Sequence, residues 1–148
     1  MSNYPGLREM LKQHEGVVPY CYKDSLGYDT IGVGFLIDKK KGGLCPPPVI
    51  DFWLDYLLTK TRAELLSALP WVASISQIRQ DCLLDMAHNL GVTGLLQFAQ
   101  TLAHIKAGEF EAAAQGMLAS RWAAQVGRRA QHLANLMRTG EWSELPQV

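Results

Sequence analysis

Residues 17–37 read VVPYCYKDSLGYDTIGVGFLI, and this stretch decides the fold class that the sequence predicts. Residues 17–22 and 28–37 are rich in β-branched and aromatic side chains, which favour β-strands. Residues 23–27, which lie between them, have the composition of a turn. We therefore predict a β-hairpin with one strand on each side of that turn.

A short helix is predicted before the hairpin, over residues 4–14. Its apolar positions recur at helical spacing, at Leu7, Met10, Leu11 and His14. Pro5 suits the first turn of a helix, and Gly16 is a plausible stop. The chain thus changes from a helical period to a strand period close to Glu15.

The sequence after the hairpin predicts a loop and then only helices. Residues 38–48 include three lysines, two glycines and three consecutive prolines, a loop composition. A helix is predicted over about residues 49–69, stopped by Pro70. Further helical segments are predicted over residues 76–90, 93–107, 110–124 and 127–137, followed by a short turn around Trp142.

This order predicts an α+β protein in which the sheet and the helices are segregated along the chain. A length of 148 residues is typical of one domain. Within it we expect a small β lobe over about residues 15–45, an interlobe helix over about 49–69 and a helical lobe over about 70–148. Two such lobes would leave a cleft between them, and clefts of this kind are common ligand sites.

The composition excludes several classes of partner. Fourteen basic and fourteen acidic residues give a formal net charge of zero, so we expect no nucleic-acid partner. The N-terminal residues do not resemble a signal peptide, and no apolar run approaches the roughly 18 residues of a membrane span. We therefore expect neither a signal peptide nor a membrane anchor.

Cys21, Cys45 and Cys82 are widely spaced and odd in number, which predicts free thiols but leaves a single disulfide open.

Two carboxylates near the hairpin are candidates for acid–base chemistry. Glu15 follows the apolar face of the first helix, and apolar surroundings favour the protonated form that a general acid needs. Asp24 lies nine residues later in the turn, and Thr30 lies six residues further on, where its hydroxyl could hold a water near Asp24. Paired carboxylates across a groove are the equipment of a glycosidase. Residue types and spacing alone favour the plainer interpretation, in which Glu15 is an exposed helix-end residue and Asp24 satisfies the backbone of its own turn.

Other chemistries have little support. The sequence lacks the serine-hydrolase, zinc-protease and phosphate-loop motifs, and its histidines and cysteines have no spacing typical of metal ligands. We therefore predict no metal and no cofactor. Cys21 is a weak candidate for a reactive thiol, because no histidine partner can be assigned to it.

Three ordered blocks of sequence resemble the phage-type lysozymes of glycoside hydrolase family 24. The first contains His14-Glu15-Gly16, Tyr22-Lys23-Asp24 and Gly27-Tyr28-Asp29-Thr30-Ile31-Gly32-Val33-Gly34. The second is Asn89-Leu90-Gly91-Val92 followed by Phe98, and the third contains Ser120-Arg121-Trp122, Arg129-Ala130 and Arg138-Thr139-Gly140-Glu141-Trp142. Together they span nearly the whole chain.

The resemblance implies a two-lobed lysozyme fold and hydrolysis of the β-1,4 bond between N-acetylmuramic acid and N-acetylglucosamine. It makes Glu15 the general acid, and it makes Asp24 and Thr30 the residues that position and activate the water. It implies inversion, with carboxylates roughly 6.5–9.5 Å apart. Arg129 matches a supporting residue whose guanidinium pairs with the catalytic Glu across the cleft, and Asn89 matches a substrate-binding position.

The chain departs from the family at Phe35, which stands where the family usually has a histidine. That histidine has a structural character in the family, so the departure affects packing rather than catalysis.

The resemblance also implies the biological setting. The partners would be the glycan strands of peptidoglycan and a holin-type pore, since a monomeric endolysin without a signal would stay in the host cytoplasm until it is released to the periplasm and cell wall. Three alternatives remain open: a secreted antibacterial effector with the same chemistry, a glycan-binding relative that has lost activity, and a helical interaction domain.

Overall fold

A computed structural model of the protein describes residues 5–33, 35–38 and 45–145. The elements in chain order are α1 (Pro5–Glu15), β1 (Val18–Lys23), β2 (Asp29–Gly32), β3 (Phe35–Asp38), α2 (Pro47–Ala68), a 3-10 helix (Pro70–Ser74), α3 (Gln77–Leu96), α4 (Ala99–Ala107), α5 (Phe110–Leu118), α6 (Arg121–Val126) and α7 (Arg128–Thr139). The predicted α+β class is confirmed. The chain divides into two compact units, Met1–Phe52 and Trp53–Val148, which we call the N-terminal unit and the helical unit.

The N-terminal unit contains a three-stranded antiparallel sheet in the order β1-β2-β3. The predicted single strand over residues 28–37 is therefore wrong, because the chain turns after Gly32 and forms two strands. Gly32 has φ +70°, a conformation that residues with a Cβ rarely adopt. A Cβ at this position would also lie 2.9 Å from the ring of Phe35. The turn between β2 and β3 thus depends on a glycine packed beneath an aromatic ring.

The predicted loop over residues 38–48 is too long at its end, because α2 begins at Pro47. Residues 39–44 of that loop lie outside the described residues. Proline is accepted in the first turn of a helix, where its missing N–H has no intrahelical partner in any case. The first N–H groups that do bond are those of Val49 and Ile50, which donate to the carbonyl of Pro46 at 2.9 and 3.1 Å.

The helices of the helical unit break at other places than the sequence predicts: α3 continues to Leu96, and the helices from α4 to α6 are shorter than the predicted segments. The segment 93–107 is interrupted at Gln97 and Phe98, and the segment 110–124 is interrupted before α6. Ser120 causes the second break, since its Oγ accepts a hydrogen bond from the N–H of Ala123 at 3.1 Å and so caps α6. Gly91 has non-helical angles, φ 73° and ψ 157°, which produce a kink inside α3 at the predicted end of the segment 76–90.

The C-terminal residues do not form the predicted turn around Trp142. Helix α7 ends at Thr139 and is capped by the left-handed Gly140 (φ 70°), and residues 140–145 have no regular secondary structure. His132 on α7 holds this segment. Its Nε2 is 2.7 Å from the carbonyl oxygen of Ser143, and its ring meets that of Trp142 edge to face.

Most of the buried residues in the core of the helical unit come from α3, α5 and α7, and the neighbouring helices contribute fewer. Its fully buried large side chains are Leu65, Val72, Cys82, Leu83, Met86, Leu95, Ile105, Met117 and Met137. Arg79 of α3 lies at the edge of this core, with its guanidinium 3.5 Å from the centre of the Phe110 ring. The same side chain donates to the carbonyls of Met137 and Arg138 at 2.8 and 3.2 Å, so it satisfies the C-terminal end of α7.

None of the three cysteines is bonded to another in the structure; Cys21 and Cys45 are exposed and Cys82 is buried. Within the described ranges, no helix combines the length and the apolarity that a membrane crossing requires.

Candidate active site

Glu15 is the last residue of α1, and β1 begins three residues later at Val18. The helix stops here because Gly16 adopts φ 73°, a left-handed conformation that closes helices. The side chain of Glu15 is exposed, so the structure does not show the apolar surroundings expected from its place after the apolar helix face. Among the described residues, the carboxylate has no hydrogen-bond or ion-pair partner, which leaves both oxygens available to a ligand.

Asp24 lies in the turn between β1 and β2, and one of its carboxylate oxygens shapes that turn. Oδ1 accepts hydrogen bonds from the N–H groups of Leu26 at 2.9 Å and Tyr28 at 2.8 Å. The backbone closes the same turn, since Asp24 N–H donates to the carbonyl of Tyr28 at 2.9 Å. In the part of the chain that the structure describes, Oδ2 has no partner. Oδ1 of Asp24 therefore has the expected structural role of satisfying its own turn, and Oδ2 remains available to bind a ligand or a water.

Thr30 lies in β2, directly opposite Tyr22 of β1, and only 4% of it is exposed. Its hydroxyl donates to the carbonyl of Tyr28 at 3.2 Å. The peptide groups of Tyr28 thus join the two predicted residues, because its N–H bonds Asp24 and its carbonyl bonds Thr30. While the hydroxyl hydrogen is donated to Tyr28, Thr30 Oγ1 acts toward a water as an acceptor.

Lys23, which precedes Asp24 in the chain, forms an ion pair with Asp29. Lys23 Nζ lies 2.7 Å from Asp29 Oδ1, across the β1–β2 ladder. This hydrogen bond raises the pKa of Lys23 and lowers the pKa of Asp29. The thiol of Cys21 also donates to Asp29 Oδ1, at 3.7 Å. Lys23 is therefore committed to Asp29 rather than to the carboxylate of Asp24.

Arg129 is the second residue of α7, and it bonds Asp85 of α3 inside the helical unit. Its Nε donates to Asp85 Oδ1 at 2.8 Å, and its Nη2 lies 2.8 Å from the same oxygen. Its Nη2 also donates to the backbone carbonyl of Asp85 at 3.3 Å. The pairing with Glu15 that the resemblance implies would join residues of the two units and stays a prediction.

Asn89, also on α3, is held by an aromatic residue. The indole N–H of Trp122 donates to its Oδ1 at 2.8 Å, and Phe98 packs edge to face on the same indole. Because an indole can only donate, this bond fixes the amide orientation and turns the two Nδ2 hydrogens away from Trp122. Asp85 and Asn89 are four residues apart, so both contacts arise from one face of α3.

Sequence reasoning missed three residues that organise the predicted site: Tyr28, Asp85 and Trp122. The role of Tyr28 is carried by its backbone, which no residue pattern reveals. Asp85 offered one signal, since it is an acid inside the otherwise apolar run 82–87, but its partner lies 44 residues away along the chain. The described residues contain no group of three or more His, Cys, Asp or Glu that could hold a metal ion.

Comparisons with known proteins identify one family and several similar proteins. The sequence profile of the family described as "Phage lysozyme" matches residues 12–140. Two Dictyostelium discoideum proteins are similar over nearly their whole length. "Probable T4-type lysozyme 1" is 26% identical over 160 residues, covering 90% of this chain and 94% of that protein. "Probable T4-type lysozyme 2" is 24% identical over 164 residues, covering 93% and 96%.

A third relative is much longer than this chain. The "Pre-baseplate central spike protein Gp5" of Enterobacteria phage T4 is 27% identical over 167 residues, covering 90% of this chain but only 28% of the spike protein. The similarity to the spike protein therefore covers only a minor part of that protein's length. Because the family profile matches most of the chain, this protein belongs to the phage lysozyme family.

Proposed function

We propose that this protein is a muramidase that hydrolyses the β-1,4 bond between N-acetylmuramic acid and N-acetylglucosamine in peptidoglycan. Membership of the phage lysozyme family and the similarity to two T4-type lysozymes support a muramidase-type glycosidase. Glu15 is the general acid in this proposal, and Asp24 with Thr30 holds the attacking water. The observation that carries it is that Asp24 Oδ2 and Thr30 Oγ1 accept no hydrogen bond from any described residue, while the peptide groups of Tyr28 join the two side chains.

The chemistry of that pair suits a water nucleophile. A water that attacks an anomeric carbon must keep one lone pair free, so its two hydrogens need acceptors. Asp24 and Thr30 provide one acceptor each, because the Thr30 hydrogen is donated to Tyr28. Asp24 then takes a proton from the water as its oxygen bonds to the anomeric carbon, while Glu15 gives its proton to the leaving oxygen as the glycosidic bond breaks. Attack on the face opposite the leaving group gives inversion.

The carboxylate oxygen Oδ1 of Asp24, which accepts the two turn hydrogen bonds, also contributes to the proposed mechanism. Two backbone N–H groups fix Oδ1 at 2.8–2.9 Å, so the carboxylate cannot rotate without losing the turn. Fixing a base in one orientation lowers the entropy lost when the transition state forms. Arg129 and Asn89, on the helical unit, are proposed as the supporting cation and as a substrate-binding amide.

The biological role proposed here is that of a monomeric endolysin acting on peptidoglycan glycan strands. It would be held in the host cytoplasm until a holin-type pore releases it to the wall, and host cell lysis would follow. Expression in a bacterium with and without a co-expressed pore-forming protein tests this role. Lysis only with the pore is expected, and lysis without any pore would contradict it.

Substitutions at Glu15 and Asp24 test the chemistry. We expect Glu15→Gln to slow clearing of outer-membrane-permeabilised Gram-negative cells by about 10²-fold or more, because a general acid contributes about that much. Asp24→Asn should also be slow while it keeps the fold, since an amide oxygen can still accept both turn N–H groups. Glu9→Gln is the matched control, because Glu9 is exposed on the same helix and bonds only Lys12 among the described residues.

The outcomes distinguish the alternatives. A Glu15→Gln protein that clears cells as fast as wild type would refute the role of Glu15. A wild-type protein that binds peptidoglycan without cutting it would instead indicate an inactive glycan-binding relative. NMR of the first product separately tests inversion, for which the α-anomer is expected and a β-anomer would be the contrary result.

A further inference from the structure

One edge of the Arg129 guanidinium is occupied by a single residue. Nε and Nη2 point in the same direction from the planar group, and both lie 2.8 Å from Asp85 Oδ1. Nη2 also bonds the backbone carbonyl of Asp85 at 3.3 Å, so main chain and side chain of one residue act together. A guanidinium is rigid, so fixing this edge fixes the direction of the remaining nitrogen, Nη1. Within the described ranges, Nη1 has no partner.

The position of Arg129 in its helix is unfavourable for a cation. It is the second residue of α7, and the N-terminal end of a helix carries a partial positive charge. Gly127 lies between α6 and α7 and has φ 55° and ψ −116°. With these angles the chain bends immediately before α7, which determines the direction of the first turn of that helix. The helix itself therefore does not favour a cation here, and the contacts that hold the guanidinium come from Asp85 of α3.

The ion pair is too exposed to be explained by stability. The side chains of Arg129 and Asp85 are 36% and 42% exposed. Exposed pairs contribute little to folding, because solvent screens the attraction and ordering two side chains costs entropy. Three contacts that converge on one edge of a half-exposed guanidinium instead restrict its orientation.

We infer that Asp85 is a positioning residue for the reaction: it holds Arg129 so that Nη1 is directed at an oxygen acceptor in the reacting complex. This inference rests on the proposed function, in which Arg129 supports catalysis. Asp85 touches neither sugar nor water in this scheme, and its effect passes entirely through Arg129.

Kinetics of Asp85 variants test the inference. We expect Asp85→Ala to lower kcat about 10- to 100-fold with KM changed by less than about threefold, because a misplaced supporting group costs transition-state rather than ground-state binding. Asp85→Asn should recover most of the rate, since its amide oxygen can accept from Nε and Nη2. Asp81→Ala is the matched control, because Asp81 is an exposed carboxylate one turn earlier on α3 that bonds Gln77 at 2.8 Å.

A double-mutant cycle separates positioning from any other role. If Asp85 acts through Arg129, adding Asp85→Ala to Arg129→Ala should change kcat by less than about twofold. A further loss of tenfold in that background would overturn the inference, as would an Asp85→Ala protein with wild-type kcat. Asp85→Glu serves if the alanine variant folds poorly, because it keeps the charge but displaces the carboxylate, and it should also lower kcat.

NMR of the arginine side chains gives a readout that does not depend on activity. The Nε–H signal of Arg129, assigned by its loss in Arg129→Lys, should exchange slowly with solvent in the wild type and in Asp85→Asn, and rapidly in Asp85→Ala. Unchanged exchange in Asp85→Ala would refute the positioning role even if catalysis is affected. If instead the wild type cuts no peptidoglycan while the NMR result holds, the proposed function fails and the restraint on Arg129 stands.

Discussion

Replacing Cys82 by alanine should remove a loss of stability that the wild-type protein suffers at alkaline pH. The thiol is fully buried in α3, and its Sγ donates to the carbonyl of Leu133 at 3.6 Å. Burial raises the pKa of Cys82 from 9.0 to about 12, and the negative charges of Asp85 and Asp81 add to this shift. The folded state therefore retains the thiol proton at a pH where the unfolded chain has lost it.

The sign and the size of the effect follow from these two pKa values. Below pH 9.0 both states hold the proton, so the stability contribution is fully present. Between pH 9.0 and about 12 only the unfolded state ionises, and the free energy of unfolding falls by about 1.4 kcal/mol for each pH unit. Between about pH 8 and about pH 10 the wild type should thus lose about 1.4 kcal/mol more than Cys82→Ala loses.

Urea unfolding followed by far-ultraviolet circular dichroism, with a reductant present, measures this difference at the two pH values. The comparison uses the change with pH within each protein, so the packing lost in Cys82→Ala cancels. Cys21→Ala is the control for the loss of a thiol as such, because Cys21 is exposed where Cys82 is buried. Parallel pH dependence in the wild type and Cys82→Ala would refute the reasoning.

Three further substitutions test contacts that hold the helical unit together, each by urea unfolding at neutral pH. Arg79→Ala should cost about 2 kcal/mol, because it removes the donors to the end of α7 and the cation above Phe110, and a cost under about 0.5 kcal/mol would contradict this account. Gly140→Ala should cost more than Gly108→Ala: both have positive φ, but only at Gly140 would a Cβ meet Arg79, at 2.8 Å, so equal losses of about 1 kcal/mol would be the contrary result. Ser120→Ala should cost about 1 kcal/mol through the lost cap of α6, whereas Ser120→Asp should retain most of the stability.

Much of the fold was predictable because helices and strands have different apolar periods. The change of period after Glu15 and the β-branched segments 17–22 and 28–37 predicted the sheet, and Gly91 marked the kink in α3. The breaks that were missed depend on single residues acting through their surroundings. Gly32 divides one apparent strand because Phe35 packs over it, and Ser120 divides one apparent helix because its hydroxyl competes for a backbone N–H.

The candidate site was predictable only where it depends on neighbours in the sequence. The turn bonds of Asp24 follow from its place two and four residues before the N–H groups that it accepts. The hydrogen bonds that restrain Arg129 and Asn89 could not be predicted in this way, because each joins two residues far apart in the sequence, 44 and 33 positions respectively. Contacts of that range are set by how α3 packs on α6 and α7, which no local pattern encodes.

The cysteines and the tryptophans are distributed so that each of the two units has its own spectroscopic reporter. Cys21 and Cys45 are exposed in the N-terminal unit, and Cys82 is shielded in the helical unit. A maleimide dye should therefore label the first unit alone as long as the protein is folded. The tryptophans have the opposite distribution, since all four lie in the helical unit: Trp53, Trp71, Trp122 and Trp142. Dye and indole emission thus follow the opening of each unit independently, without a single engineered residue.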